Sequence, residues 1–412
     1  MKKNIIISLI LLTSISLFAQ GSSYTRLGIG DLISSPSARA MGFGGLAIGS
    51  IDKFSINEVN PASWSGIDLT RFQISLNYLG KSITDSHSES LYSEASFSGF
   101  SVAVPLERDL GLVSSFGILP VSRVDYSVNS LSQDPNFGNI TREYSGKGGI
   151  SKMYIGTSYK LPFDLTLGAT FEYYFGKIDY KSSVKLPDTL HFSNVTYTLR
   201  RGYSGIGASF GLLSPDLSKL LNSEKISDMR LGLSLTLPSK INTDTSVIST
   251  TTSGPNDLNN GLAESYIPMK IGFGASVKYG ENLLFVADYL TQNWTEYSLA
   301  DTKDSFLNRY TRFNFGVEIL GEQRQYATFW EQMSFRFGLR YEQTQYIINS
   351  TNIAQYSLHT GLSFPLGVAN TIDVGIVAGL RGKKENQLLL EKFFGTSVSL
   401  NFGELWFVRR RK

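Results

Sequence analysis

Catalysis needs nucleophiles, bases or metal ligands at fixed spacing, and this sequence offers few of them. It has three histidines and no cysteine. His87, His191 and His359 stand far apart, and none belongs to an H-E-x-x-H motif, a Cys/His cluster or a nucleophile elbow. His87 and His191 fall in polar stretches that read as outer loops. His359 alternates out of phase with Tyr356, Leu358, Leu362 and Phe364, which suits a filler of a polar interior better than a general base. The missing cysteines remove disulfides, thiolate metal sites and a lipid-modified N-terminal cysteine. Gly42–Phe43–Gly44–Gly45–Leu46–Ala47 matches a G-x-G-x-x-A dinucleotide fingerprint, but no buried strand precedes it and no helix leading to an acid follows. Its glycines read instead as backbone that packs closely and takes positive φ. The expectation is a protein without catalytic residues, cofactor or metal, and not an enzyme.

The charges with regular spacing are Arg312, Glu318, Arg336, Arg340 and Glu342. They occupy the polar face of two neighbouring alternating segments, so opposite signs are expected to pair across a wall. The functional alternative is a polar constriction that steers ions or a headgroup. Those segments belong to a long series. Met229, Leu231, Leu233, Leu235 and Leu237 alternate with Arg230, Gly232, Ser234 and Thr236; Phe335, Phe337, Leu339 and Tyr341 alternate with Ser334, Arg336, Gly338 and Arg340. Fourteen such segments follow residue 70, centred near 76, 98, 118, 154, 170, 205, 234, 274, 286, 315, 338, 360, 376 and 399.

Apolar residues make up 42% of the chain, yet no apolar run after the first twenty residues is long enough for a spanning helix. With 26 Phe, 21 Tyr, 39 Gly and only 18% charged residues, the composition fits pleated strands with aromatic girdles. Tyrosines near segment ends, among them Tyr78, Tyr126, Tyr159, Tyr173, Tyr279, Tyr289, Tyr310, Tyr341 and Tyr346, favour a membrane barrel over a soluble sandwich. Short connections (Pro105–Leu110, Leu161–Asp164, Tyr279–Asn282, Pro365–Asn370) alternate with long polar ones (Val128–Tyr144, Lys181–Tyr197, Ser239–Ala263, Tyr297–Arg309). This predicts both termini in the periplasm and long loops outside. Leu213–Asp228, with Leu217, Leu220 and Leu221, is compatible with a short helix. Lys2, Lys3, the apolar stretch Ile5–Phe18 and Ala19 form a secretory signal, cut after Ala19 or Gln20. A formal charge of +3 leaves no nucleic-acid footprint. The predicted organisation is a signal peptide over 1–20, an N-terminal plug over 21–68 and an all-β, antiparallel transmembrane barrel of about fourteen strands over 69–412, in the outer membrane.

The segment before the barrel carries a resemblance. Ala38–Arg39–Ala40–Met41–Gly42–Phe43–Gly44–Gly45 followed by Asn60–Pro61–Ala62 resembles the hatch signature of the FadL/OmpP1/TodX family of outer-membrane transporters for long-chain fatty acids and aromatic hydrocarbons. Tyr24–Leu32, Leu405–Phe407 and Arg409–Lys412 resemble its Bacteroidetes branch. Glu58–Val59 before Asn60 departs from the family's aromatic residue. The resemblance implies a fourteen-stranded barrel whose lumen is closed by a plug, with hydrophobic substrate entering from outside. Met41, Gly42, Gly44, Gly45, Asn60, Pro61 and Ala62 would then be the plug motif, and Leu27, Ile29, Phe43, Leu46 and Ile48 would shape a hydrophobic pocket.

The leading expectation is passive uptake of a hydrophobic or amphipathic small molecule, fatty-acid-like or aromatic, across the outer membrane. The alternative is a non-transporting barrel within a surface or secretion assembly, whose partners bind the outer loops or the basic C-terminal tail. A general porin is a third possibility, marked by salt-dependent conductance. Outer-membrane lipid is the expected surroundings.

Overall fold

A computed structural model describes residues 21–33, 37–85, 89–135, 138–185, 195–221, 223–251, 254–322, 327–367 and 369–406. The signal sequence, His87, His191 and the Arg409–Lys412 tail lie outside them.

The first elements are short: a 3-10 turn at Ser23–Arg26, β1 (Asp31–Leu32), helix α1 (Ala38–Gly42) and a 3-10 turn at Pro61–Gly66. A continuous wall then begins with β2 (Thr70–Thr84), β3 (Glu89–Glu107), β4 (Leu112–Asp134), β5 (Gly138–Lys160), β6 (Thr166–Lys185) and β7 (Val195–Leu213). β8 (Ile226–Thr236) is prolonged by β9 (Ser239–Thr251), and β10 (Gly254–Ile267) returns into β11 (Lys270–Tyr279). After β12 (Leu283–Asn293), the small β13 (Ser298–Leu299) and β14 (Thr302–Lys303) precede β15 (Arg309–Ile319). The wall ends with β16 (Ser334–Ile348), β17 (Thr351–Leu366), β18 (Asn370–Gly382) and β19 (Leu390–Glu404). β19 pairs with β2 from Leu390↔Thr84 to Glu404↔Thr70, so the sheet closes on itself as a fourteen-stranded antiparallel barrel. Closure satisfies backbone groups that hydrocarbon cannot.

The side chains invert the soluble pattern. On β17, Tyr356 and Leu358 are 59% and 63% exposed while Ser357 and His359 between and beyond them are 6% and 4% exposed. On β15, Phe313 and Phe315 face outward beside buried Arg312 and Asn314. A barrel with apolar residues outside and polar ones enclosed is built for lipid. No helix among the described residues is long and apolar enough to cross a membrane.

The long polar connections are corrected. Val128–Tyr144 is mostly strand: β4 runs to Asp134 and β5 starts at Gly138. Lys181–Tyr197 carries the end of β6 and the start of β7, and Ser239–Ala263 is the β9–β10 hairpin. Beyond the apolar belt both faces of a strand meet polar surroundings, so the two-residue alternation fades while backbone pairing continues. The helical reading of 217–221 reduces to one 3-10 turn at Ser218–Leu220.

Candidate functional site: the lumen and the N-terminal segment

Residues 21–67 lack strand periodicity, and nearly every local feature in them is a cap or a close approach. Ser37 caps α1 by accepting from Ala40 N–H at 3.2 Å. Asn60 caps the second 3-10 turn through Ala62 N–H, with Pro61 at its first position. Gly45 has φ +115°, and a Cβ there would collide with the Arg312 guanidinium. Opposite it on the wall, a Cβ at Gly338 would strike the Gly44 backbone. The glycines of Gly42–Gly45 and β16 therefore let two backbones touch.

An irregular segment enclosed in a barrel must find partners for its own polar groups. Wall side chains supply them. The Asp288 carboxylate on β12 accepts from both Ala47 N–H and Ile48 N–H at 2.8 Å. Arg312 and Arg340 donate to the Gly44 carbonyl, the latter at 2.7 Å. Ser276 donates to the Gly49 carbonyl at 2.8 Å and Ser234 to the Val59 carbonyl at 2.6 Å. Asn60 Nδ2 donates to the Ile48 carbonyl at 2.8 Å and to the Leu212 carbonyl on β7 at 3.3 Å.

Two buried ionic clusters add to this. In the first, Arg39 of α1 lies 2.6 Å from Asp52 and 2.9 Å from Glu318, which lies 2.7 Å from Arg336. Arg336 continues to Asp373 at 3.6 Å. Burial works against ionisation of Asp52, but the Arg39 guanidinium, hydrogen bonds from Ser55 and the Phe54 N–H, and Arg336 together outweigh it and hold the carboxyl below its usual range. In the second, Arg381 meets Asp31 at 2.8 Å and Glu391 at 2.7 Å, donates to Ser22 Oγ at 2.6 Å, and lies over the Tyr24 ring. Tyr346 donates to Asp31 at 3.0 Å.

Glu318 and Arg336, directly opposite in register, form the cross-wall pair that their spacing predicts. Arg312 and Glu342 are also opposite, but Arg312 turns to the Gly44 carbonyl, and Glu342 is 3.9 Å from Arg340 on its own strand. Asp31, Arg39, Asp52, Asp288, Asp373, Arg381 and Glu391 escaped the sequence reading. Asp373, Arg381 and Glu391 share the polar-face phase that marked Glu318, and following that phase through β18 and β19 would have found them, whereas Asp288 shares its inner face with Leu284, Val286 and Leu290 and had no such signal.

Of the five residues expected to shape a pocket, four are fully buried in packed clusters, while Ile29 also borders one cavity and Phe43 and Leu46 border another. Ile29, Leu46 and Ile48 belong to the main buried cluster, and Leu27 packs against it half-buried. Phe43 sits with Ala47, Leu284 and Val286, flanked by the guanidinium groups of Arg39 and Arg336 at 5.9 and 5.6 Å from its ring. Cavities remain among the described residues, and a small one of about 30 Å³ is lined by Arg39, Phe43, Leu46, Asp52 and Glu58 among others. Another, of about 90 Å³, is lined by Ile29, Trp64, Tyr154, Glu58, Lys152 and Lys270 among others. A larger one, of about 240 Å³, touches Met41 and is bordered by charged groups including Asp31, Glu94, Arg123, Arg312, Arg340 and Arg381. His359 also borders it, its Nε2 2.9 Å from Ser357 Oγ.

A family model described as BamG matches residues 1–412, the whole chain. The chain belongs to the BamG family. Among solved structures, this BamG-family chain is similar to the toluene transporter TodX of Pseudomonas putida, with a TM-score of 0.62 and 15% identity, covering 90% of this chain and 98% of that one. A FadL homologue of Pseudomonas aeruginosa gives 0.59 and 12%, again over 90% and 98%. At such identities the likeness establishes the fold alone, a closed fourteen-stranded barrel like that of TodX and the FadL homologue. No curated protein matches the sequence.

Proposed function

We propose that this barrel is a non-transporting component of a protein assembly in the outer membrane, its lumen plugged by residues 21–68. The observation that carries this reading is the tethering of the segment. Arg39, Asp31 and the backbone of 44–49 are bound to β11, β12, β15, β16 and β18 through buried charges and polar groups. Withdrawing the segment would strip Asp288 of the Ala47 and Ile48 donors and take Arg39 from Glu318 and Asp31 from Arg381, whose wall partners Arg336 and Glu391 stay; leaving a buried charged acceptor unsatisfied costs more than about 1–3 kcal/mol. The larger cavity is bordered by charged groups as well as by apolar side chains such as Leu79, Phe97, Val377 and Phe393, and a wholly apolar molecule there would desolvate the charges. Membership of the BamG family is consistent with a role other than that of the FadL and TodX channels. Purification from native membranes in mild detergent tests it: stoichiometric subunits should accompany the chain, and recovery of a lone barrel would sink the proposal.

Passive uptake of a hydrophobic or amphipathic molecule is the second reading, favoured by the channel fold and by the aromatic lining of the cavity of about 90 Å³. It requires faster entry of a labelled long-chain acid or aromatic hydrocarbon into liposomes that hold the barrel, and loss of that entry with Phe43→Glu. Equal entry with and without protein would remove it.

A further inference from the structure

Above the apolar belt several strands pair on one side only, among them upper β3 (Glu89–Gly99), upper β4 (Val124–Asp134) and β10. β9 pairs with β7 from Thr196↔Thr250 to Gly205↔Ile241 on one side and with β10 on the other. β10, by contrast, meets β13 only at Ser265↔Leu299 and Tyr266↔Ser298. From Gly254 to Glu264 its second edge has no strand beside it among the described residues. The Glu264 carbonyl accepts from Ala300 N–H at 2.9 Å on that edge. In an antiparallel strand, alternate residues turn both N–H and C=O to the same side, so Leu262 and Asn260 present theirs along the same margin beyond the last rung. The surroundings are open: Leu262 is 87% and Leu258 50% exposed, and nothing lies within 4 Å of where a Cβ of Gly261 would stand. Proteins usually blunt such edges with charge or proline. Residues 258–263 carry neither, with Pro255, Asp257 and Glu264 standing at their two ends.

We propose that the free edge of β10, residues 258–264, docks an extended segment of another polypeptide, which joins the wall as an added antiparallel strand. Only a chain in extended conformation can meet a row of alternating donors and acceptors at strand spacing. The molecule has already begun the arrangement, since β13 occupies the first two positions of the same edge in the same antiparallel sense. The exposed leucines add apolar contact on the side chains' side. A second copy is the poorer occupant. β10 leads into the membrane strand β11, so a copy in the same orientation brings its edge running the same way, the less stable parallel pairing. The proposal deepens the assembly reading and rests on it for the existence of a partner.

The test uses the full chain in detergent micelles and, as probe, a fluorescent peptide alternating valine and threonine, beside a twin N-methylated at every second residue. The plain peptide should bind saturably, bind about tenfold more tightly than its twin, and slow hydrogen exchange at Asn260 and Leu262. Asn260→Pro and Leu262→Pro remove the edge donors at positions where an edge strand tolerates proline, so each should keep the thermal stability and lose the binding. Equal binding of the two peptides, binding undisturbed by both prolines, amides already protected in the free chain, or a dimer joined through this edge would each overturn the proposal. Co-purification from native membranes separates the two ideas. Subunits retained undiminished by the doubly substituted chain would reject this edge and leave the assembly standing. Peptide binding without any co-purifying subunit would keep the edge and reject the assembly.

Discussion

The two stretches of the N-terminal segment are held by different physics. Residues 22–52 reach the wall of β12, β15, β16, β18 and β19 through carboxylates and guanidinium groups in addition to the buried Tyr24, Ile29, Leu46 and Ile48, with Phe43 set between two arginines. Residues 56–67 instead wedge Ile56, Trp64 and Ile67 against Ala103, Val113, Leu119 and Tyr154 of β3–β5, with Trp64 stacked on Tyr154 at 6.0 Å. Apolar contact is non-directional and tolerates small shifts, whereas a buried ion pair is costly unless its geometry is met. The charged stretch therefore fixes where the segment stops, and the apolar stretch supplies graded cohesion once it is there.

The sharpest way to break this contrast is Glu318→Ala, which leaves Arg39 and Arg336 facing a void. The barrel should lose about 3–5 kcal/mol, read as a fall in the unfolding midpoint in micelles. Adding Arg336→Ala should cost less than the sum of the two single changes, because the second substitution removes a charge the first had stranded. Strict additivity would mean that the pair does not act as a unit. Asn60→Ala comes next, at about 2 kcal/mol. It removes the cap of the 3-10 turn and frees the Ile48 and Leu212 carbonyls, joining the two stretches' fates in one residue. On the apolar side, Ile56→Val should cost only about 1 kcal/mol, a methylene's worth of packing. A larger loss there than at Glu318 would invert the comparison.

The difference also explains what the sequence could tell. Strand segments were legible because a wall with oil on one face and enclosed polar groups on the other repeats every two residues. All fourteen segment centres fall on wall strands. The charges facing inward were legible by the same rule at Glu318 and Arg336. Their partners in the N-terminal segment were not. Arg312 stands opposite Glu342, yet the Gly44 carbonyl competes for it, and nothing local in β15 announces a contact with a residue 268 positions away. Likewise Asp288 serves backbone N–H groups 240 and 241 positions earlier. Such contacts have no period, because the N-terminal segment has none. The strand extensions above the membrane were lost for the opposite reason: the backbone pairing persists where the side-chain pattern that reveals it has ended.

One charge breaks the division, and it yields the smallest prediction. Glu58 lies in the apolar stretch, where burial pushes its carboxyl up from the ordinary 4.5 to about 8, only partly offset by the hydrogen bond from Gln73 and by Lys152. The folded chain thus holds a proton that the unfolded chain gives up. Stability is then greatest below the unfolded value of 4.5, declines as the pH rises toward about 8, and levels off above it. Unfolding midpoints at pH 5, 7 and 9 should fall in that order for the native sequence; the pH values are chosen to bracket the window of about 4.5 to 8. Glu58→Gln keeps the shape without the titration, so it should flatten this part of the profile and gain most at the alkaline end. A Glu58→Gln profile with the native slope would assign the pH dependence to another group, and would return residues 56–67 to purely apolar cohesion.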